Sequence, residues 1–327
     1  MGRGCYRGAA DPPRIMAAMH LMIPFAAPLS EAGRQAASVL ALPRLQSLLG
    51  RWTEVEHDAA DEWNLSPPHE RARARALGLR GGDGRLPWAA LLALGDGLEV
   101  ADQAWGLLTP AHWHLGTDHV ILADPQALLL DEADSRAFFD VVHELFTSRG
   151  YALHYGAPLR WYAAHASLAA LATASLDRVI GRNVDAWLGS DPAVQSIRGL
   201  QSEVQMLLHE HPLNELREAR GLLPVNSFWL SGCGTVQRPD APEPRLDSRL
   251  RDPTLNGDWA AWSKAWETLD EGPLAELLDP SHAGAPQRLT LCGERAWAAF
   301  EPAAPKLRQR LRSFWSPPAV APLLAGL

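Results

Sequence analysis

The sequence predicts an α/β protein with a mixed sheet flanked by helices, and three observations support this. Short apolar strand-like runs alternate with amphipathic helical runs along most of the 327 residues, a pattern typical of layered α/β folds. Hydrophobic residues make up 47% of the chain and charged residues 21%, so a full core can be buried. The helical runs also carry start and stop residues at their ends.

Residues 20–327 are expected to form a single α/β domain. Residues 1–19 are rich in Gly, Arg and Pro and predict a disordered leader, after which His20–Phe25 forms the first buried strand. Residues 238–257 combine proline with many charges, which predicts a surface linker or loop.

Composition also excludes several classes of partner. The formal net charge of −8 argues against a generic nucleic-acid binder. No apolar run reaches the roughly 20 residues needed to cross a bilayer, so we expect no membrane partner. The three cysteines are few and odd in number, which fits a reducing cytoplasmic location better than a disulfide framework.

The first third of the chain predicts mostly helices after the opening strand. Ser30 is expected to cap one helix, and Pro43 to start another. The acidic run at 57–62 predicts an exposed helix start, with a metal site as the alternative. His69–Ala76 alternates Arg with Ala, which favours a solvated face over a basic patch for a phosphate-bearing partner. Pro87–Leu94 predicts an apolar helix in the core.

Residues 112–119 contain the most metal-like grouping in the sequence. His112 and His114 are two apart in a predicted strand, so both imidazoles point to one face, with Asp118 and His119 nearby. Mn²⁺ or another divalent metal is therefore an alternative. We favour metal-free paired histidines, and hence no cofactor, because no Cys or further carboxylate completes a recognisable ligand spacing.

The later part of the chain alternates strands with longer helices. Three tryptophans, Trp259, Trp262 and Trp266, share one helical stripe, which favours core packing over a stacking platform. The other predicted elements are a helix capped by Asp131 and ending at Thr147, strands at 151–155 and 159–162, a helix at 192–209, a strand at 288–292, and helices at 294–300 and 306–312.

The most site-like stretch is His211–Gly234, HPLNELREARGLLPVNSFWLSGCG. It predicts a short polar helix from about Asn214, ended by Gly221 as a left-handed C-cap. Pro224 is expected to prevent further helix, and a strand is predicted at Val225–Leu230. The following residues, 231–235, predict a turn whose backbone N–H groups face a ligand.

Side chains in this stretch suit a small acidic or phosphorylated metabolite. The Arg217 guanidinium can bind a phosphate or carboxylate through two hydrogen bonds, and His211 can donate to a phosphate oxygen. The remaining predicted ligand-binding residues are two amides, an indole and two glycines, namely Asn214, Asn226, Trp229, Gly232 and Gly234. A structural role is the alternative, in which Asn214 caps, Arg217 pairs with a nearby Glu and Trp229 lies in the core.

This stretch resembles a late motif of the archaeal-type, 2,3-bisphosphoglycerate-independent phosphoglycerate mutases, roughly HPxNxxRxxxGxxPANxIWLWGxG. Val225 and Ser231 depart from the Ala and Trp of that motif. The matching positions are His211, Pro212, Asn214, Arg217, Gly221, Pro224, Asn226, Trp229, Leu230, Gly232 and Gly234. The whole sequence is more similar to the proteobacterial RpfE-type regulatory proteins, an offshoot of that group. The resemblance implies a phosphoglycerate mutase-like fold of the alkaline-phosphatase superfamily.

The resemblance also implies where a metal site would lie. Metal-dependent members place an Asp directly after the first strand, followed by a Ser or Thr nucleophile, because two divalent cations polarise the phosphoryl group. Residues 23–29 contain no acid. We therefore expect a catalytically degenerate mutase-like protein, a pseudoenzyme with a regulatory or ligand-binding role. The alternatives are an active metal-dependent mutase, using His57 and Asp58 with the 112–119 group, and an interaction scaffold without a small ligand.

Overall fold

The computed structural model describes residues 19–100, 102–116, 119–189, 192–282, 286–303 and 319–327. The strands are β1 (Met19–Ile23), β2 (Trp52–Ala59), β3 (Ala104–Ala111), β4 (Trp113–Leu115), β5 (Val120–Leu122), β6 (Ala152–Ala157), β7 (Arg160–Ala164), β8 (Ser227–Thr235), β9 (Arg245–Leu246), β10 (Gln287–Cys292) and β11 (Ala296–Pro302). They form sheets flanked by helices, which confirms the predicted α/β class.

The helices alternate with these strands along the chain. They are α1 (Glu31–Ser38), α2 (Pro43–Arg51), α3 (Pro68–Leu77), α4 (Trp88–Gly95), α5 (Glu132–Thr147), α6 (Leu176–Val179), α7 (Pro192–Leu208), α8 (Pro212–Ala219), α9 (Arg251–Leu255), α10 (Trp259–Glu271), α11 (Pro273–Leu278) and α12 (Val320–Ala325). Within the described ranges, none of them is both long and apolar enough to cross a membrane.

A five-stranded sheet has the order β2-β11-β10-β1-β9. β1 is parallel to both β10 and β9, whereas β11 is antiparallel to its two neighbours. Trp262 and Trp266 of α10 pack into the core on one side of this sheet and are fully buried, as the tryptophan stripe predicts. Because Ile23 pairs with Leu291, the carboxyl ends of β1 and β10 lie side by side.

A separate antiparallel sheet has the order β6-β7-β3-β8. Its main core includes Phe138 and Phe146 of α5 and Leu200 of α7. The small helix α4 packs against β3 and β8, with Ala89 and Ala93 buried. β4 and β5 form a two-stranded ribbon.

Several local predictions are confirmed by hydrogen bonds at helix ends. The Ser30 hydroxyl accepts a bond from the Gly33 N–H at 3.1 Å and caps α1. The Asp131 carboxylate accepts a bond from the Asp134 N–H at 2.8 Å and caps α5. Gly221 has φ 72° after α8, as expected for a left-handed C-cap.

Two predicted helices are wrong because strand pairing outweighs local preference. Residues 57–59 belong to β2, where His57 pairs with Ala298 rather than starting a helix. Residues 296–300 belong to β11 and pair with β10. Inside residues 238–257, the chain adds β9 to the five-stranded sheet and forms α9. The expected leader, apart from Met19 in β1, and the expected helix at 306–312 lie outside the described residues, and the single-domain prediction stays a prediction.

Gly232 shows how closely α4 approaches β8. Its φ is 63°, and a Cβ at this position would lie 3.0 Å from the Ala89 nitrogen and 3.0 Å from the Trp88 Cβ. Gly221 has a similar φ of 72° but open space around its Cβ position. Substitution of Gly221 therefore measures the free-energy cost of a left-handed backbone alone. Substitution of Gly232 measures that cost together with the cost of a close contact.

We expect Gly232→Ala to lower the free energy of unfolding by about 2–4 kcal/mol, since the methyl group adds a clash to a backbone cost of about 1 kcal/mol. Gly221→Ala is the matched control and is expected to cost only about 1 kcal/mol. Urea unfolding of both variants measures the difference. Equal losses would mean that the contact between α4 and β8 contributes little.

Candidate functional site

The central stretch of the sequence forms α8 and β8, and several of its polar side chains bond to the protein itself. The helix begins at Pro212, earlier than predicted, and His211 is its cap because the imidazole Nδ1 accepts a bond from the Leu213 N–H at 3.2 Å. Asn214 therefore lies inside the helix rather than at its cap.

Asn214 joins three segments of backbone. Its Nδ2 donates to the carbonyls of Leu208 at 3.0 Å and Val225 at 2.8 Å, and its Oδ1 accepts from the Val225 N–H at 2.9 Å. The amide thus fixes the end of α7 and the start of the β8 segment relative to α8. Its polar atoms are engaged by the protein itself.

Arg217 is also engaged by the protein and is only 1% exposed. Its Nε donates to the Leu223 carbonyl at 3.0 Å, its Nη1 to Asp134 at 3.1 Å, and its Nη2 to the Leu128 carbonyl. Burial lowers the pKa of Arg217, and the charge and hydrogen bond of Asp134 oppose that shift. The guanidinium connects α8 to α5 and to the 3₁₀ turn at Pro125–Leu128.

Asn226 and Trp229 hold neighbouring segments in the same way. The Asn226 side chain exchanges two hydrogen bonds with the backbone of Trp113, at 2.8 and 3.0 Å. The buried indole of Trp229 donates to the Ala174 carbonyl at 2.9 Å. Trp229 therefore fixes the chain immediately before α6.

The predicted turn at 231–235 is wrong, because these residues continue β8. Ser231 pairs with Leu107, and Gly234 pairs with Trp105, across a bulge in the β3–β8 ladder. Gly234 also lies close to α4, since an added Cβ would meet the Pro87 Cβ at 2.9 Å. The glycines of this stretch permit close packing of a helix on a strand.

Asn214 and Asn226 border an open groove of about 870 Å³ between α7, α8 and β4. Three carboxylates line it, from Glu210, Glu215 and Glu218, and its described lining residues include no Lys or Arg. Negative side chains disfavour an acidic metabolite at this position. The ligand-binding role proposed for His211, Asn214, Arg217, Asn226, Trp229, Gly232 and Gly234 stays a prediction.

Two residues of the predicted metal-like group, His112 and His114, lie next to each other in the structure. Their rings are in contact, with 3.2 Å between His112 Nε2 and His114 Nδ1, and His112 Nδ1 lies 2.8 Å from the Pro224 carbonyl. Burial lowers the pKa of His112. His119 is exposed, and Asp118 lies outside the described residues. Among the described residues, no group of three or more His, Cys, Asp or Glu side chains could hold a metal ion.

A different cleft lies where the parallel strands β1 and β10 end. It is a cavity of about 240 Å³, bordered by Phe25 and Ser30 after β1 and by Glu294 after β10. Residues from α3 and α6 complete it, including His69 and Arg178. Ligands of open α/β folds bind beyond the carboxyl ends of strands. Phe25 has φ 58°, an uncommon backbone conformation for a bulky residue that is often found at functional sites.

Arg178 is the exceptional residue of this cleft. It is 3% exposed, and its Nη1 donates to the Glu294 carbonyl at 3.0 Å, but its Nε and Nη2 have no hydrogen-bond partner. No carboxylate in the described part of the chain forms an ion pair with it. Burial lowers its pKa to about 10, the charges of Arg182 and Arg71 add to the shift, and those of Glu294 and Asp83 oppose it. The group therefore stays charged at neutral pH.

The other charged groups of the cleft have partners. Asp177 lies 3.2 Å from His69 Nε2 and 2.7 Å from Arg251. Burial opposes ionisation of Asp177, but the hydrogen bonds and charges of His69 and Arg251 outweigh it and lower the pKa to about 2. Glu294 lies 3.4 Å from Arg182 and accepts a hydrogen bond from the Leu29 N–H.

This arrangement is suited to binding an anion. The two carboxylates are engaged, whereas Nε and Nη2 of Arg178 are buried without a hydrogen-bond partner, and guanidinium groups bind phosphates and carboxylates well. Neither Arg178 nor Arg182 was predicted as a binding residue from the sequence. The only sequence feature that could have indicated them is the spacing of two arginines four residues apart, on either side of Gly181. Such a spacing is too common to predict a binding site. The arginines of the 69–76 run were considered for a phosphate partner, yet Arg71, Arg73 and Arg75 each pair with a carboxylate.

A structural role for Arg217 makes a clear prediction. We expect Arg217→Met to lower the free energy of unfolding by about 3 kcal/mol or more, because two buried carbonyls and Asp134 lose a charged donor. Arg220→Met is the control, since Arg220 also pairs with Asp134 but is 53% exposed, and it is expected to cost about 0–1 kcal/mol. Chemical denaturation measures both. A small loss for Arg217→Met would contradict the structural role and favour the ligand-binding role predicted from the sequence.

Neither protein-family models nor curated protein sequences match this chain. Among solved structures, it is similar to a cofactor-independent phosphoglycerate mutase from Thermoplasma acidophilum, at 13% identity and a TM-score of 0.35, over 86% of this chain and 88% of that one. It is also similar to the PH0037 protein from Pyrococcus horikoshii, at 14% identity and a TM-score of 0.42, over 88% of each chain.

Proposed function

We propose that this chain binds a small phosphorylated or otherwise acidic metabolite in the cleft beyond β1 and β10, as a catalytically degenerate relative of the phosphoglycerate mutases. The observation that carries the proposal is Arg178, a buried cation with two unpartnered donor atoms. The regulatory role follows from the resemblance of the sequence to the RpfE-type proteins and is part of the proposal.

The energetics of a buried charge support an anionic ligand. A charged group that is buried without a counter-ion destabilises a fold by several kcal/mol, roughly 3–5 in measured cases of broken pairs. Chains generally avoid this cost by pairing the group, as Arg217 is paired here. An anion that bonds to Nε and Nη2 of Arg178 would remove the cost and gain charge-assisted hydrogen bonds.

In this proposal the central sequence motif has a structural role, because it helps to position the helix that carries Arg178. Trp229 donates to the Ala174 carbonyl, and the adjacent Ser175 hydroxyl donates to Glu70 at 2.6 Å. α6, which carries Arg178, begins one residue later. The motif therefore helps to fix the position of Arg178 without contacting the ligand.

The segment after β1 favours binding over metal-dependent phosphoryl transfer. Pro24 and Phe25 directly follow β1, where the resemblance implies a metal-binding Asp, and residues 24–29 contain no acid. The Ser30 hydroxyl borders the cleft but accepts the capping bond of α1.

An active metal-dependent mutase is the alternative function. It would need the histidines and acids at 57–58 and 112–119 in one cluster, yet His57 and Asp58 lie in the five-stranded sheet whereas His112 adjoins the four-stranded sheet. Asp58 pairs with Arg71. The described residues therefore do not fit a two-metal centre, and we derive no reaction step through one.

Arg178→Met is expected to weaken binding of inorganic phosphate and 3-phosphoglycerate by at least about tenfold, since a charged hydrogen bond contributes about 1.5–3 kcal/mol. Isothermal titration calorimetry on the full chain measures this. Arg136→Met is the matched control, because Arg136 is an exposed arginine paired with Glu132 on α5, and its loss should leave both affinities unchanged.

Two outcomes would overturn the proposal. Equal affinity of the wild type and Arg178→Met for both anions would remove the cleft from consideration. Interconversion of 3- and 2-phosphoglycerate in the presence of Mn²⁺, abolished by His112→Ala or His114→Ala, would establish the metal-dependent alternative.

A further inference from the structure

A second surface with the features of a binding site is the open groove between α7 and α8, which shares no lining residue with the cleft of Arg178. Its volume is about 870 Å³. Trp113 and Leu208 contribute buried apolar side chains to the lining, and Met206 contributes one that is 71% exposed. Methionine is enriched at surfaces that bind partner proteins, because its flexible side chain adapts to different contacts.

Hydrogen bonds within the chain hold this lining in place. The Asn226 side chain and the Trp113 backbone exchange bonds of 2.8 and 3.0 Å. The Asn214 amide donates to the carbonyls of Leu208 at 3.0 Å and Val225 at 2.8 Å. A groove that is already ordered loses little conformational entropy when a partner binds, which favours affinity.

The carboxylates of the groove lack basic partners. Glu215 and Glu218 lie one turn apart on α8, both are exposed, and neither forms an ion pair in the described part of the chain. Arg217 and Arg220, the nearest arginines in the sequence, both pair with Asp134 on α5 instead. The groove therefore has unneutralised negative charge beside its apolar lining.

Trp113 adds an unused hydrogen-bond donor to the lining. This side chain is 7% exposed, and its indole Nε1 is buried with no hydrogen-bond partner among the described residues. Buried donors are normally paired, and one without a partner destabilises a fold by about 1–3 kcal/mol. An acceptor on a bound partner, such as a backbone carbonyl, would remove this cost.

We propose that this groove binds a basic amphipathic segment of a partner protein, whose apolar side chains cover Met206 and whose Lys or Arg residues pair with Glu215 and Glu218. Amphipathic helices bind in apolar grooves in this way, and charged groups around the groove select the partner. Charge complementarity favours a basic segment over a second copy of this chain, whose net charge of −8 is repulsive. The inference goes beyond the proposed function, because it concerns a separate surface and a macromolecular partner.

Fluorescence anisotropy on the full chain tests the inference. The probe is a labelled synthetic peptide of leucine and lysine at amphipathic helical spacing, and the control peptide has glutamate in place of lysine. We expect the lysine peptide to bind with an affinity that falls as salt is added, and the glutamate peptide not to bind.

Substitution of the groove carboxylates tests the charge contribution. Glu215→Gln combined with Glu218→Gln is expected to weaken binding of the lysine peptide about 2- to 30-fold, because two surface ion pairs are lost. Asp140→Asn combined with Glu144→Gln is the matched control, since it removes two exposed carboxylates from one face of α5. This control is expected to leave the affinity unchanged.

Substitution of Met206 tests the apolar contribution. Met206→Gln is expected to weaken binding about fivefold or more, because an apolar side chain no longer leaves water on binding. Leu216→Gln is the matched control, since Leu216 is 64% exposed on α8 but does not line the groove. Urea unfolding confirms that each variant is folded.

The results that would overturn the inference are distinct. Failure of the lysine peptide to bind, or equal weakening by the control substitutions on α5, would exclude the groove as its site. Displacement of the peptide by spermidine, with Met206→Gln without effect, would indicate a small cation instead of a protein. A dimer in sedimentation analysis that is lost in the Glu215 and Glu218 double variant would assign the groove to a second copy of the chain. Each of these results leaves the proposed function intact, because Arg178→Met tests the cleft separately.

Discussion

Burial of charged groups is the constraint on which the rest of this structure depends. A guanidinium that leaves water must recover its hydrogen bonds from the protein or from a ligand. Arg217 does so through two carbonyls and Asp134 and thereby joins α8 to α5. Arg178 is buried to a similar degree but makes one bond to the Glu294 carbonyl. The same residue type thus has a structural role at Arg217, whereas at Arg178 two donor atoms are buried without a partner.

Hydrogen bonds connect the central sequence stretch, residues 211–234, to the segment that leads into the cleft. Asn214 and Asn226 bond to backbone on both sides of β8, and Trp229 extends the hydrogen bonding to Ala174. From there the chain enters α6 and presents Arg178 at the ends of β1 and β10. A segment with these polar residues resembles a binding site in sequence, and in the fold its side chains bond to the chain that leads into α6.

The sequence predicted local structure better than it predicted the site. Caps at Ser30 and Asp131, the C-cap at Gly221 and the buried tryptophans of α10 follow from short-range patterns. The strand at 57–59 was mistaken for a helix because its pairing partner, β11, is distant in sequence. Residues 296–300 form a hairpin with β10 and also pair with the distant β2. Arg178 could not be identified for a related reason. Arg178 stands out because two of its donor atoms have no hydrogen-bond partner, which only the folded structure reveals. The residues that line its cleft include ones from α3, α6 and the ends of two strands.

The most direct measurement is the free energy of unfolding of Arg178→Met in buffer free of phosphate and carboxylate anions. Because the wild-type side chain buries a charge with few partners, the substitution is expected to cost no more than about 1 kcal/mol, from the lost bond to Glu294, or to stabilise the protein. Added phosphate should then stabilise the wild type and leave the variant unchanged. A loss of about 3 kcal/mol or more for Arg178→Met would show that Arg178 supports the fold as Arg217 does, and it would contradict the assignment of the cleft as an anion site.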